Sequence, residues 1–218
     1  MIMMKVVAFD IETLGLIPRA PEAPLPAITC VCAYTSEGEE IALRMWWPPH
    51  EQAESKEPEN RARALALLDG AEVLIAYNGL GFDIEFMRRA WGLDEARVLA
   101  WVCKCVDPLM LARHVAGRGS KMADMLALNG RGSKTAQGSD AIAMARDGEW
   151  ETLLSYCLVD AKLVYELVMV ARPLRLTPLV ECVLAPGRAP PRFRYTPQPA
   201  PAQGALSTCC KKEAGDFF

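Results

Sequence analysis

Long apolar segments are missing from this 218-residue sequence, although 51% of its residues are hydrophobic. No apolar run approaches the roughly 20 residues that a membrane-spanning helix needs. The N-terminal stretch "MIMMKVVAFD" also lacks the basic region, apolar core and cleavage site of a signal peptide. We therefore expect an intracellular protein without a membrane partner, cytoplasmic or, in a eukaryotic host, nuclear.

Histidine is scarce, and cysteine shows no regular spacing. The sequence has two isolated histidines and eight scattered cysteines, which without a secretion signal favours reduced thiols. Cys30, Cys32, Cys103 and Cys105 form two Cys-x-Cys pairs on predicted strands. A zinc site is therefore an alternative to their packing as small buried side chains.

A third glycine is absent from the stretch "LIAYNGLGFDIEFM", residues 74–87. A dinucleotide-binding turn would need it at position 84, where the sequence has Ile84, and no acidic residue is well placed for a ribose. The sequence therefore argues against a dinucleotide site in this stretch. We find no internal repeat either.

Charge is unevenly distributed along the chain, whose formal net charge is −3. Acidic residues exceed basic ones in residues 1–170, whereas residues 171–218 contain seven Lys and Arg against three Asp and Glu. Another basic stretch extends from Lys104 to Lys134. This distribution suits a protein that holds cations and meets phosphates, with a solvated surface as the alternative.

The order of apolar runs and helical periods predicts an α/β protein. The predicted strands cover residues 4–10, 27–35, 39–47, 71–78 and part of 96–108, and the predicted helices cover residues 58–70, 83–92, 107–117 and 149–170. Residues 117–140 are rich in Gly, Ser and Lys, which predicts a loop with short helical pieces.

The composition changes after residue 171. Eight of the sixteen prolines lie in residues 172–218, where the stretch "APGRAPPRFRYTPQPAPAQGA" is nearly free of periodicity. We expect a single domain over residues 1–171, followed by a Pro-rich, disordered tail over residues 172–218. The tail is a candidate for docking to a partner of unknown identity.

Two acids follow the first strand in the stretch "KVVAFDIETLGL", residues 5–16. Positions i and i+2 of an extended backbone point to one face, so Asp10 and Glu12 should converge on one small volume. Two negative charges that close together are unfavourable unless they share a proton or a cation.

Two further acids are predicted to reach the same volume. Asp83 follows the strand over residues 71–78, after a turn that Gly79 and Gly81 permit. Asp160 lies four residues after Tyr156 on a predicted helix, so both side chains can point into one site.

Four acids from separate elements can hold a pair of divalent cations. Hard cations such as Mg²⁺ prefer carboxylate oxygens, and two ions about 3.5–4 Å apart stabilise the attacking and leaving oxygens of a phosphoryl displacement. A tyrosine hydroxyl beside such a site can orient the attacking water.

Three motifs in this order resemble those of the DnaQ-like 3′–5′ exonucleases. "FDIET" resembles the first motif, "NGLGFD" the second in the version of family B polymerase proofreading domains, and "YCLVD" the Tyr-x3-Asp third motif of the DEDDy subgroup. The resemblance covers roughly residues 4–170. It implies an RNase H-like fold with a mixed, five-stranded central sheet flanked by helices.

The resemblance also implies a role for each acid. Asp10, Glu12 and Asp160 would bind the first of two Mg²⁺ or Mn²⁺ ions, and Asp10 would bridge to the second. Asp83 would act directly or through water, and Tyr156 would hold the nucleophilic water.

Four other residues are implied to contact the substrate. Thr13 and Leu14 would meet the terminal nucleotide, and Asn78 and Phe82 would line the path of the single strand. Stacking of a base on an aromatic ring contributes about 1–3 kcal/mol without sequence preference. Core packing is the alternative for Leu14 and Phe82, because apolar residues beside strands are usually packed.

The implied function is a metal-dependent 3′–5′ exonuclease that hydrolyses nucleotides from single-stranded 3′ ends, with DNA favoured. One alternative is a 3′–5′ exoribonuclease of the same superfamily, since no motif here reports recognition of the 2′-OH group. The other is a non-catalytic nucleic-acid-binding module on the same fold, in which the loss of an acid would be expected.

Overall fold

The protein is represented by a computed structural model that describes residues 4–20, 23–132, 138–171, 173–178, 180–185 and 189–195. The strands are β1 (Val6–Thr13), β2 (Ile28–Thr35), β3 (Glu40–Arg44), β4 (Val73–Ile75), β5 (Cys105–Val106), β6 (Leu174–Thr177), β7 (Val180–Ala185) and β8 (Ala189–Tyr195). The helices are α1 (Glu57–Gly70), α2 (Asp83–Trp91), α3 (Glu95–Lys104), α4 (Pro108–Ala116), α5 (Met122–Leu128), α6 (Gly138–Asp147) and α7 (Trp150–Met169), with a 3₁₀ helix at Pro49–Glu54. Within the described ranges, none of these helices has the length and apolar character needed to cross a bilayer.

Five strands form a mixed sheet in the order β3-β2-β1-β4-β5. β1 and β3 are antiparallel to β2, whereas β4 is parallel to β1 and β5. Helices α1, α2 and α3 contribute to a core cluster on one face of the sheet, and α7 packs with α4 and α5 residues on the other. The predicted α/β class, with a mixed five-stranded sheet flanked by helices, is confirmed.

The two faces of β1 have different chemistry. Val7, Phe9 and Ile11 lie in the core cluster with α1, α2 and α3. Val6 and Ala8 lie in the cluster with α7, and Asp10 and Glu12 continue that same face because side chains alternate along a strand. The face of β1 that is turned towards α7 therefore changes from apolar to acidic after Ala8.

β1 extends further than predicted, so the two acids lie inside the strand and not after its end. Antiparallel pairing with β2 continues to Thr13. Parallel pairing with β4 covers only Val6 to Ala8. Asp10 and Glu12 therefore lie in the part of β1 that is paired with β2 but no longer with β4.

The predicted fifth strand is mostly helix, which corrects the interpretation of residues 96–108. The carboxylate of Asp94 accepts a hydrogen bond from the backbone N–H of Arg97 and caps α3. Trp101 is fully buried on this helix, and its indole N–H donates to Asp69 over 2.8 Å. Only Cys105–Val106 remains as β5. The strand prediction for this stretch was wrong because a short apolar run does not distinguish a buried strand from a buried helix.

Residues 174–195 also differ from the expected unstructured tail. β6, β7 and β8 form a separate three-stranded antiparallel sheet. Leu174, Leu176 and Cys182 are buried in the core cluster that contains α7. The prolines at positions 173 and 178 flank β6, where they leave its hydrogen bonding intact. The domain boundary at residue 171 stays a prediction, and residues 196–218 lie outside the described part of the chain.

Candidate metal centre

Three of the four predicted acids form a compact cluster. One ligand oxygen each from Asp10, Glu12 and Asp160 lies within 4.8 Å of the others. Asp10 and Glu12 are half-buried, whereas Asp160 is only 3% exposed. The first two come from β1, and the third comes from α7, which packs across β1 and β2.

The chemistry of this cluster fits a hard divalent cation. Its donors are carboxylate oxygens, the ligands that Mg²⁺ and Mn²⁺ prefer. Three carboxylates held this close repel one another unless a cation or a proton reduces the repulsion. Asp10, Glu12 and Asp160 could thus hold a hard divalent metal ion.

The fourth acid, Asp83, lies at the edge of β1 and not in the three-acid group. Its Oδ1 accepts a hydrogen bond from the backbone N–H of Ile11 over 3.1 Å. That N–H lies between Asp10 and Glu12 in the chain, on the edge that β4 leaves open. The carboxyl of Asp83 therefore accepts a hydrogen bond that a paired strand would otherwise accept, beside the two β1 acids.

Burial strongly affects the ionisation of Asp83, which is 3% exposed. Desolvation raises the pKa of its carboxyl to about 7, and the charge of Asp107 acts in the same direction. The hydrogen bonds from the backbone N–H groups of Ile11 and of Asp83 itself oppose this shift. Without a cation, Asp83 is thus protonated over most of the acidic pH range.

The turn that positions Asp83 has little free space. A Cβ atom on Gly79 would lie 2.4 Å from Cβ of Ala76, and one on Gly81 would lie 2.8 Å from Oδ1 of Asn78. The left-handed conformation in this turn belongs to Asn78, whose φ is 66°, and asparagine tolerates this region better than most residues. Gly79 is needed because the Cβ of Ala76 is fixed to the backbone, whereas a side chain at position 81 would require the Asn78 side chain to move.

A buried carboxylate that the sequence reasoning missed holds this turn. Asp107 is 3% exposed, and it accepts hydrogen bonds from the backbone N–H groups of Asn78 (3.0 Å) and Leu80 (3.1 Å). It also caps α4 by accepting from Leu109 (3.0 Å) and Met110 (3.2 Å). The only sequence signal is its position before Pro108 at the start of a predicted helix, which is typical of a helix cap but does not indicate the link to the turn.

Tyr156 lies beside the acidic cluster, one turn before Asp160 on α7. It is 4% exposed. Burial raises the pKa of its phenol, and the charges of Asp160, Glu12 and Asp10 raise it further. The hydroxyl of Tyr156 therefore stays protonated in the physiological pH range.

The four predicted substrate contacts occupy different environments. The hydroxyl of buried Thr13 donates to the carbonyl of Gly15 over 2.6 Å. Leu14 is half-buried against the cluster that contains Tyr156. Asn78 is half-buried in the turn before Asp83. The substrate-contact roles of these residues stay predictions.

Phe82 combines packing with partial exposure. Its ring lies 5.5 Å from that of Phe86, between centroids, and it packs against the core cluster on the α2 side. Part of the side chain stays accessible. Both the core and the substrate interpretation of Phe82 therefore stay open.

The two Cys-x-Cys pairs do not come together as one zinc site. Cys30 and Cys32 are buried and lie beside Cys157, whereas Cys103 is exposed on α3. Cys157 had not been singled out from the sequence. No local pattern in the sequence linked it to Cys30 and Cys32, because neighbouring positions on a helix point in different directions.

Comparisons with known proteins agree with this architecture. The RNase_H_2 family model, described as RNase_H superfamily, matches residues 7–170. No curated protein matches the sequence significantly. A solved structure of the family B DNA polymerase from the hyperthermophilic archaeon Pyrobaculum calidifontis superposes with a TM-score of 0.56 at 17% identity, over 78% of this chain and 25% of the polymerase chain. The chain thus spans about a quarter of that polymerase, and the likeness shows a shared fold. Because the family model covers most of the sequence, the chain belongs to the RNase_H superfamily.

Proposed function

We propose that this protein is a divalent-metal-dependent 3′–5′ exonuclease that removes nucleotides from single-stranded 3′ ends, with DNA as the favoured substrate. Membership in the RNase_H superfamily supports a nuclease that acts on nucleic acid. The observation that carries the proposal is the convergence of Asp10, Glu12 and Asp160 within 4.8 Å, beside a protonated tyrosine. A purely structural role does not account for three such acids, because their mutual repulsion opposes folding.

The acids would bind different metal ions according to their position. Asp10, Glu12 and Asp160 would hold one Mg²⁺ or Mn²⁺, and Asp10 would also face a second ion towards Asp83. When bound, the metals would lower the pKa of water and stabilise charge on the phosphodiester oxygens. Asp83 would reach the second ion directly or through water, since its Oδ1 already faces the edge of β1 at Ile11.

Tyr156 would orient the attacking water. A phenol that keeps its proton can donate one hydrogen bond and accept another, so it can fix the direction of a water without removing a proton from it. The acids that raise the pKa of Tyr156 are the same three that would bind metal. This tyrosine supports the DEDDy type of exonuclease, in which it replaces a histidine base.

The substrate would enter over the end of β1 and the turn before α2. Thr13 and Leu14 follow the acids directly in the chain, so they would contact the terminal nucleotide. Asn78 and the accessible part of Phe82 flank Asp83, and Phe82 would offer a stacking surface to a base. Neither contact reads base identity, which suits removal of nucleotides irrespective of sequence.

The experiment is digestion of end-labelled single-stranded DNA and RNA of the same sequence, with Mg²⁺, with Mn²⁺ and with EDTA. We expect a ladder of single-nucleotide steps from the 3′ end, slower cleavage at duplex and no cleavage with EDTA. Cutting of a circular single strand at the rate of the linear one would identify an endonuclease and contradict the proposal. Faster digestion of RNA would replace DNA by RNA as the substrate, and binding without cleavage under any condition would indicate a non-catalytic module.

A further inference from the structure

Three cysteines form a cluster that the proposed nuclease reaction does not use. The Sγ atoms of Cys30, Cys32 and Cys157 lie within 4.8 Å of one another. All three residues have 0% exposure. In the described part of the chain, this is the second group of side chains, besides the acidic one, with metal-ligand spacing.

The pairing of β1 with β2 places these thiols next to the acids. Asp10 pairs with Cys32 and Glu12 pairs with Cys30. Paired residues on neighbouring strands project to the same face of a sheet, so the two thiols and the two acids all project towards α7. From that helix, Cys157 completes the thiol cluster.

Direct contacts join the thiol cluster to Asp10. Sγ of Cys157 lies 3.4 Å from the backbone carbonyl oxygen of Asp10 and 3.7 Å from its Oδ2. The thiol of Cys32 donates to the carbonyl of Leu154 over 3.5 Å. The thiols and the acids therefore form adjoining sites.

The spacing can be compared with that of a tetrahedral zinc site. Zn–S and Zn–O bonds of about 2.3 and 2.1 Å give S···S distances of about 3.8 Å and S···O distances of about 3.6 Å. The distance of 3.7 Å between Cys157 Sγ and Asp10 Oδ2 is already close to the second value. The three sulfurs, which lie within 4.8 Å, need to approach one another by about 1 Å at most.

We propose that Cys30, Cys32 and Cys157 form a binding site for a thiophilic divalent cation of the zinc class, with Oδ2 of Asp10 as the fourth ligand. The thiols release their protons to solvent when the cation binds. Thiolate sulfur prefers soft or borderline cations, whereas the acidic cluster prefers hard ones. Two chemically different sites thus adjoin and share Asp10.

Cadmium is the probe, because its thiolate complexes have an ultraviolet charge-transfer absorption that carboxylate complexes lack. The titration uses the reduced, metal-free 218-residue chain. In it, Cys209→Ser and Cys210→Ser remove two neighbouring cysteines that lie outside the described residues. We expect the absorption to saturate at one equivalent of Cd²⁺, and a large excess of Zn²⁺ to reduce it. No such absorption in the folded protein would overturn the proposal and leave the three thiols as packing residues.

Single substitutions show whether the absorption comes from this cluster. In the same background, Cys157→Ser and Cys32→Ala should each weaken Cd²⁺ binding by about tenfold or more. Cys103→Ser, on the exposed side of α3, should leave binding unchanged. Circular dichroism identifies the variants that remain folded, and either cluster variant is sufficient. Unchanged affinity in a folded cluster variant, or a loss in Cys103→Ser, would place the cation elsewhere and contradict the proposal.

Because the two sites share Asp10, we expect a cation in one site to weaken cation binding in the other. This expectation rests on the proposed function. Mn²⁺ binding, followed by electron paramagnetic resonance, should weaken about tenfold or more after addition of one equivalent of Cd²⁺. Charge-transfer absorption together with unchanged Mn²⁺ affinity would remove Asp10 from the thiol site. Failure of Mn²⁺ to bind the cadmium-free protein would count against the proposed nuclease centre, while the cadmium titration would still decide the thiol site.

Discussion

The backbone N–H of Ile11 donates to Oδ1 of Asp83 over 3.1 Å, which joins the middle of β1 to the first residue of α2. A parallel strand would normally supply the acceptor at this edge. Here a buried carboxyl supplies it, and the same carboxyl is the fourth acid of the proposed metal centre. The position of Asp83 therefore depends on β4 pairing with β1 only as far as Ala8.

The stability of the metal-free protein should depend on the ionisation of Asp83. Its pKa is about 7 in the folded protein against 3.8 for an ordinary aspartate. Below about pH 4 both states hold the proton, and between about pH 4 and pH 7 only the folded state does, so stability decreases as the pH rises through this range. Asp83→Asn should therefore match the wild type near pH 4 and be more stable at pH 8 by up to about 4 kcal/mol.

Urea unfolding in EDTA at pH 4, 6 and 8 measures this difference for the Asp83→Asn variant. The amide oxygen of asparagine can still accept the Ile11 N–H, so the variant isolates the charge. A constant difference across the three pH values would mean that Asp83 does not titrate in this range.

Asp10→Ala and Asp160→Ala should abolish hydrolysis and leave the metal-free fold intact. Each substitution removes a ligand oxygen from a cluster within 4.8 Å and relieves carboxylate repulsion. We expect no detectable turnover on a single-stranded oligonucleotide and an unfolding free energy equal to or above that of the wild type in EDTA. Glu151→Ala, an exposed acid on the first turn of α7, is the control and should keep full activity. Activity retained in Asp10→Ala would rule out the metal mechanism.

Tyr156→Phe should reduce the rate about 10²–10⁴-fold, the usual range for a positioned acid–base group. The substitution keeps the buried ring and removes the hydroxyl. Mn²⁺ affinity, measured by calorimetry, should hardly change because the phenol is not a proposed ligand. Tyr165→Phe makes the same change further along α7, where the ring packs on Tyr34 at 5.0 Å between centroids, and should not affect the rate. Equal rates in the two variants would make Tyr156 a packing residue.

Asp107→Ala should destabilise the protein more than Asp94→Ala, although both residues cap helices. Asp107 is buried and accepts four backbone N–H groups, whereas the carboxylate of Asp94 accepts one at an exposed cap. Loss of a cap costs about 1 kcal/mol, and each buried donor left without an acceptor adds about 1–3 kcal/mol. Denaturant unfolding of both variants measures the difference, and similar losses would show that water replaces the Asp107 carboxylate at the turn.

Leu174→Ala tests whether β6 belongs to the main domain. Leu174 is 1% exposed and lies in the core cluster with α7, so truncation should cost about 2–5 kcal/mol. The matched control is Leu99→Ala on α3, a leucine that is 62% exposed and should change stability by less than about 1 kcal/mol. A cost for Leu174→Ala as small as that of the control would support residue 171 as the end of the stable domain.

The sequence was most informative where chemistry and periodicity agreed. Asp10, Glu12 and Asp160 converge as predicted. Alternation along a strand determines the face to which a side chain points, and so does the i, i+4 spacing on a helix. The run around Trp101 was misassigned, since apolar residues alone do not distinguish a strand from a buried helix. β6, β7 and β8 lie within the stretch that its proline content predicts to be an unstructured tail; Pro173 and Pro178 lie outside β6, whereas Pro190 and Pro191 lie within β8, so proline content alone does not exclude strand pairing. The links through Asp107 and Cys157 join distant parts of the chain, and no local pattern indicates such contacts.

The alternation of β1 also affects how the chain avoids misfolding. A slip of one residue against β2 would turn Phe9 and Ile11 towards α7 and drive Asp10 and Glu12 into the apolar cluster with α1, α2 and α3. Burial of an unpaired carboxylate in such a core costs several kcal/mol. The slipped sheet is therefore excluded from the folded population, and the acids assigned to metal binding also ensure that the central strand pairs correctly.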